Sequence, residues 1–255
     1  MSESYRQRFV KTEDAANYDA VVYAPGTASD LLWRLETEVL EQIVGDFRRS
    51  RGHIDYLDFA CGTGRVISFL ADKVDTAVGI DISQAMLDSA REKVGGATLI
   101  CKDITSPEDE IEGRYDIITA FRFLLNAEPS LRQAALRGLV LRLKSQDSLL
   151  LVNTHGNPFS YKAALLPYHW LRAVLRSRKL GGYMMPLTAR TELTKAGLVI
   201  EQVIGMGFVG EKLFRVLPWS FCMRVERLLT GNRAMRPFAL NHLYVCRKGE
   251  AGTHE

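Results

Sequence analysis

From residue 54 onward the sequence alternates short apolar runs with stretches of helical periodicity. Residues 54–60 predict a strand that ends in a Gly-rich turn. Residues 65–73 predict a helix with Val66, Ile67, Phe69 and Leu70 inside. Residues 76–80 predict a second strand, and Ser83 suits the cap of a helix striped by Met86, Leu87, Ala90 and Val94. Further strands are expected at 97–101, 115–121 and 148–154, with a helix over 129–143. A helix over 191–196 leads through Gly197 into a sixth strand near 199–205, and 242–246 closes the pattern as a seventh. Strands that are nearly all apolar and alternate with helices are buried on both faces. The expected fold class is therefore α/β, a doubly wound, mostly parallel seven-stranded sheet. In such a sheet a ligand lies off the carboxyl ends of the strands, beside the topological switch point.

One domain over 1–255 is expected. Residues 1–50 form an N-terminal helical segment, 51–155 the ligand-binding half, and 156–190 and 206–238 two helical insertions. The first 28 residues are dotted with Tyr5, Phe9, Tyr18 and Tyr23. Ser29 and Asp30 suit a helix start before the stripe Leu31, Leu32, Leu35, Val39, Leu40, Ile43 and Val44. The formal net charge of +3 is too small for wholesale nucleic-acid binding, so no nucleic-acid partner is expected. No apolar run reaches the ~18 residues of a membrane span. Residues 1–6 lack the apolar core of a signal peptide, so a cytoplasmic location is expected. Cys61, Cys101, Cys222 and Cys246 are scattered, without a Cys-x-x-Cys pair; neither a disulfide framework nor a metal is expected.

Chemistry is expected just after the first strand, at Asp58-Phe59-Ala60-Cys61-Gly62-Thr63-Gly64. Glycines at this spacing let the backbone turn sharply and approach a ligand closely. Asp81, 17 residues beyond Gly64, ends the second strand, where two carboxylate oxygens suit the hydroxyls of a ribose. A dinucleotide fingerprint would need a third glycine where Ile67 stands. Asp58, before the glycines, would attract an ammonium and repel a phosphate. A nicotinamide-dependent oxidoreductase is thereby disfavoured, and a non-catalytic cofactor-binding module is the other alternative.

These residues resemble motif I of the class I S-adenosylmethionine-dependent methyltransferases, acidic-x-Gly-x-Gly-x-Gly. Asp58, Gly62 and Gly64 match it, and Ala60 stands where the family usually has its first glycine. The likeness continues in order from about residue 18 to 205. Ala77-Val78-Gly79-Ile80-Asp81-Ile82-Ser83 resembles the second-strand motif, which implies Asp81 on the ribose with Ile82 beside it. Cys101-Lys102-Asp103-Ile104 resembles the segment whose acidic residue contacts the adenine amine. The stretch from Tyr115 to Phe121 resembles the fourth-strand motif, whose end meets the methionine part of the cofactor. The resemblance implies S-adenosylmethionine as cofactor, a Rossmann-like fold with an antiparallel last strand, and helical lids over a small-molecule site.

Methyl transfer from a sulfonium is an in-line displacement, so the protein must place the acceptor and, for a hydroxyl, remove its proton. No Asn-Pro-Pro-Tyr follows the fourth strand and no Pro-Cys nucleophile appears, which argues against adenine, cytosine or glutamine nitrogen and against pyrimidine carbon. The densest polar group is Asn153-Thr154-His155-Gly156-Asn157-Pro158. His155 is the candidate base or substrate contact, and it favours oxygen as the acceptor atom. Arg122, Asn126 and Asn157 are candidate substrate contacts. Tyr18 and Tyr23 could close over the site, an aromatic face suiting a sulfonium.

Residues 148–191 contain no Asp or Glu but hold Lys162, Arg172, Arg176, Arg178, Lys179 and Arg190 among aromatic and aliphatic residues. A second segment repeats this with Arg215, Arg224, Arg227, Arg233 and Arg236 around Phe214, Trp219 and Phe221. Three readings fit: a hydrophobic lid with a basic outer face, a lipid-linked acceptor with peripheral membrane contact, and an anionic soluble acceptor.

Overall fold

The computed structural model describes residues 24–106, 111–165 and 183–249. Tyr18 and Tyr23 lie outside the described residues, as does 166–182 of the first insertion.

Seven strands form one sheet in the order β3-β2-β1-β4-β5-β7-β6. They are β1 Asp55–Phe59, β2 Thr76–Asp81, β3 Thr98–Cys101, β4 Ile117–Phe121, β5 Leu149–Thr154, β6 Leu198–Met206 and β7 Asn241–Lys248. β1 to β5 pair in parallel, and β7 runs antiparallel to both β5 and β6. Every residue of β4 and β5 is buried, as their largely apolar runs predict.

Strand side chains alternate between two cores. Tyr56, Ile117, Leu149 and Leu151 face one, with Leu31, Leu35, Leu40 and Val44 of helix α1, Ala28–Arg51. Leu57, Ile118, Leu150 and Val152 face the other, with Leu136 and Leu139 of the helix after β4. The helices after α1 are α2 Arg65–Leu70, α3 Gln84–Arg91, the single turn α4 Phe123–Asn126, α5 Pro129–Arg142, α6 Pro186–Lys195, the single turn α7 Glu211–Phe214 and α8 Trp219–Leu229. Among the described residues, no helix is long and apolar enough to cross a membrane.

Several boundaries differ from expectation. Helix α1 is capped two residues before Ser29, by Thr27, whose hydroxyl accepts from the Asp30 amide. The fourth strand begins at Ile117; Tyr115 makes just an isolated bridge to Leu143. Helix α6 starts at Pro186, five residues before the expected 191, because proline has no amide to lose in a first turn.

Candidate active site

The switch point lies between β1 and β4, and a cleft opens there at their carboxyl ends. The space between its walls is about 1090 Å³, part of it open to solvent.

Its floor is the loop from β1 to α2. Ala60, Gly62 and Gly64 all take left-handed backbone, with φ of 53°, 55° and 80°. The alternate-glycine pattern is therefore a conformational demand at three positions, and Ala60 meets it with a Cβ in place. A Cβ at Gly62 would find no atom within 4 Å, whereas one at Gly64 would meet Ala90 Cβ and Val94 Cγ2 at 2.9 Å each. Gly62 lines the cleft, and Gly64 lets α2 begin against α3. The glycine that a dinucleotide fingerprint would place at Ile67 is matched here from the strand side. A Cβ at Gly79 would lie 3.0 Å from Ile67 Cδ1.

Asp58 is buried under this loop. Thr119 Oγ1 donates to its Oδ1 at 2.7 Å, the Ile67 amide to its Oδ2 at 3.1 Å, and Tyr56 OH meets Thr119 Oγ1 at 2.6 Å. Burial outweighs these donors and pushes the carboxyl up to about 7. Asp81 joins the loop to the next turn: the Gly62 amide donates to Oδ2 at 2.8 Å and the Ser83 amide to Oδ1 at 2.9 Å. Burial raises its pKa as well. The Cys61 thiol is raised by burial, then by the Asp58 and Asp81 charges, which leaves it a poor nucleophile.

At the β3 end, Lys102, Asp103 and Thr105 line the cleft. Asp103 Oδ1 accepts from the Thr105 amide at 2.9 Å and hydroxyl at 2.7 Å. At the β4 end, Phe121, Arg122 and Asn126 line it, and Ile82 lines the β2 side. Arg122 is left-handed, φ 58°, and Asn126 Nδ2 donates to its carbonyl at 2.7 Å.

Sequence-expected residues thus gather in one cleft: Asp58, Ala60, Gly62, Asp81, Ile82, Asp103, Phe121, Arg122 and Asn126. Gly64, Ile104, His155 and Asn157 are not among its lining residues. Ile104 is buried against Gly138. Asn157 spends its side chain on the backbone, donating to the carbonyls of Pro237 at 2.7 Å and Ala239 at 2.8 Å. His155 is half-buried, and its Nδ1 is buried without a hydrogen-bond partner. Burial, then the charges of Arg122 and Lys162, holds its pKa down to about 3. The imidazole is therefore neutral near pH 7 but a much weaker proton acceptor than the ordinary histidine that its sequence position suggests.

Sequence reading missed the support behind the loop. Glu36, fully buried on α1, accepts from Arg65 Nη1 at 3.3 Å and from the amides of Asn153 at 2.9 Å and Asn241 at 3.4 Å. The Arg65 guanidinium stacks 4.2 Å from the Trp33 ring centre, and Arg65 lines the cleft. The signal was present: Glu36 lies four residues from both Leu32 and Leu40, on the apolar stripe of α1.

The cleft fits a nucleoside carrying an ammonium. It offers carboxylates at the ends of β1 and β2, an open approach at Gly62, and apolar walls from Ile80, Ile82 and Met86 for a flat ring.

The profile of the family described as "Methyltransferase domain" matches residues 57–146. The ubiquinone biosynthesis O-methyltransferase of Pseudomonas aeruginosa is 23% identical over 159 residues, covering 60% of this chain and 67% of that protein. The magnesium protoporphyrin IX methyltransferase (ChlM) of Synechocystis PCC 6803, solved with bound SAH, is similar with a TM-score of 0.61. Its identity is 16%, over 96% of this chain and 97% of that one. The N-methyltransferase NodS of Bradyrhizobium japonicum WM9, also with SAH, reaches 0.61 at 13% identity, over 97% and 100% of the chains. At these identities the two structures speak for the fold.

Proposed function

From the chain's place in the S-adenosylmethionine-dependent methyltransferase family, which brings that cofactor with it, we infer that this protein methylates a small-molecule acceptor at oxygen. The oxygen preference rests on the likeness to an O-methyltransferase, and one observation carries the shared site. A single cleft runs from the carboxylates Asp58 and Asp81 to the polar residues Arg122 and Asn126. Cofactor and acceptor can therefore lie side by side, as in-line displacement requires.

When bound, the cofactor supplies a methyl group on a positively charged sulfur. In our reading, Asp58 holds its ammonium, Asp81 its ribose and Asp103 the adenine amine, while Gly62 lets the backbone approach. Ala60 and Gly64 shape the loop; Ile82, Ile104 and Phe121 support the walls. Arg122 and Asn126 orient the acceptor. His155 serves as a neutral hydrogen-bonding group beside Arg122, since burial and then the surrounding positive charge weaken it as a base.

The finer reading is a lipid-linked acceptor. It is supported by the aromatic and aliphatic residues of the two insertions, read as lids, and it fits the likeness to a ubiquinone-pathway O-methyltransferase. Calorimetric titration with S-adenosylmethionine, S-adenosylhomocysteine and NADH tests the cofactor half. Binding of the first two alone is expected. Product analysis with phenolic acceptors, free and lipid-linked, then tests the acceptor half, and exclusive methylation of amines would overturn the oxygen reading.

A further inference from the structure

The two insertions carry a charge opposite to the rest of the chain. Residues 156–190 and 206–238 hold 12 Lys and Arg against two acidic residues, while the remainder holds 21 basic against 28 acidic. One of the two acids, Glu226, is buried. Its carboxylate accepts the amides of Gly207, Phe208 and Val209 at 3.1, 2.7 and 2.6 Å, which fixes α8 beneath the loop after β6.

Placement follows from the sheet. β5 and β6 are both antiparallel to β7, so they run the same way, and Met206 ends at the edge where the cleft opens. Asn157 ties the start of the first insertion to the end of the second there. Helix α8 buries Cys222, Met223 and Glu226. Its opposite face carries Phe221, Arg224 and Leu228, three and four residues apart and all exposed. Leu228 is 78% exposed, and Val216, between α7 and α8, is 81% exposed. Arg233 is exposed just beyond; Arg215 pairs with Glu211 on the surface, and Arg227 with Glu38.

We propose that the α7–α8 segment, residues 211–233, docks on the surface of an anionic membrane. Phe221, Leu228 and Val216 enter the interface, and Arg224 and Arg233 meet lipid phosphates. The occupant is chosen by charge: an apolar face flanked by surplus arginine suits an anionic bilayer, whereas two copies of this face would bring like charges together. The surface stands on exposure and charge alone; its use in presenting an acceptor to the cleft rests on the proposed function.

The test is sedimentation of the full chain with vesicles of phosphatidylcholine, with and without phosphatidylglycerol, at low and high salt. At least tenfold stronger partition onto anionic vesicles is expected, weakened by salt. Val216→Glu with Leu228→Glu should abolish it, and Arg224→Glu with Arg233→Glu should lower it about tenfold, all with cofactor affinity unchanged. Vesicle binding that is absent, or unaltered in both variants, overturns the proposal. So does a dimer that the first variant dissolves, which would make this face an interface between copies. Vesicle binding without cofactor binding would leave the docking surface standing and overturn the methyltransferase reading instead.

Discussion

Glu36 on α1 holds the guanidinium of Arg65 at 3.3 Å from inside the protein, so the first residue of α2 is anchored by a carboxylate 29 residues upstream. Breaking a buried pair by removing one partner typically costs about 3–5 kcal/mol. Glu36→Ala also leaves the Asn153 and Asn241 amides without their acceptor. Chemical denaturation should show a loss of that order. Glu36→Leu with Arg65→Met should recover part of it; no recovery would mean that the two residues do not act as a pair.

Ala60 is held left-handed at φ 53°. That backbone costs a non-glycine residue roughly 1–2 kcal/mol, partly offset by the stiffer unfolded chain of alanine. Ala60→Gly should raise stability by about 0.5–1 kcal/mol, and Ala60→Val should lower it and weaken cofactor binding. Thermal unfolding and a cofactor titration on both variants check this.

The two glycines of the loop should separate stability from binding. Gly64→Ala puts a methyl 2.9 Å from Ala90 Cβ and Val94 Cγ2, adding overpacking of about 1–3 kcal/mol to the backbone strain. Gly62→Ala adds strain alone to the fold, since nothing lies within 4 Å, but its methyl points into cleft space. The larger drop in melting temperature is expected for Gly64→Ala, and the larger loss of cofactor affinity for Gly62→Ala.

Asp58, raised from 3.8 to about 7, must lose its proton before it can pair with an ammonium. Cofactor affinity should fall on the order of tenfold between about pH 7.5 and 5.5, with proton release visible by calorimetry in buffers of different ionisation enthalpy. The sign for stability is opposite. A carboxyl raised in the folded state favours folding below its unfolded pKa, and that contribution is lost as pH rises through about 7. Asp58→Asn should therefore be the more stable protein at alkaline pH while binding cofactor poorly.

His155, held down to about 3, is neutral in the fold but charges in the unfolded chain below its ordinary 6.5. Its contribution to stability is complete above 6.5 and lost as pH falls from there toward 3. His155→Ala should lower turnover without changing cofactor affinity, and the wild-type kcat profile should lack an inflection near 6.5. An inflection there that vanishes in the variant would restore His155 as the base.

How much was legible depends on where each signal resides. β4 and β5 stand out because a strand buried on both faces is dominated by apolar residues, with Thr119, Asn153 and Thr154 the polar exceptions. Asp58, Gly62 and Asp81 stand out because strand ends and left-handed turns impose residue types locally. Helix α6 was read short, because the leucine pattern after Pro186 is weak and the proline itself is the start signal. Asn157 resembled a ligand contact because its partners lie 80 and 82 residues away, and polar satisfaction over that distance leaves no local trace. The same holds for His155, whose pKa is depressed first by burial and then by the charges of Arg122 and Lys162, none of which its own position in the sequence announces.

β7 is wedged between β5 and β6, and Thr154 meets His242 across 88 residues of chain. A chain emerging from a ribosome therefore carries the complete cofactor half of the sheet while β5 still has a bare edge. That edge stays open until the residues of β7 have been made, and β6 must wait beside it unpaired. Assembly of this protein is timed by its latest strand, and the interval before that strand arrives is when nascent chains are most exposed to pairing with one another.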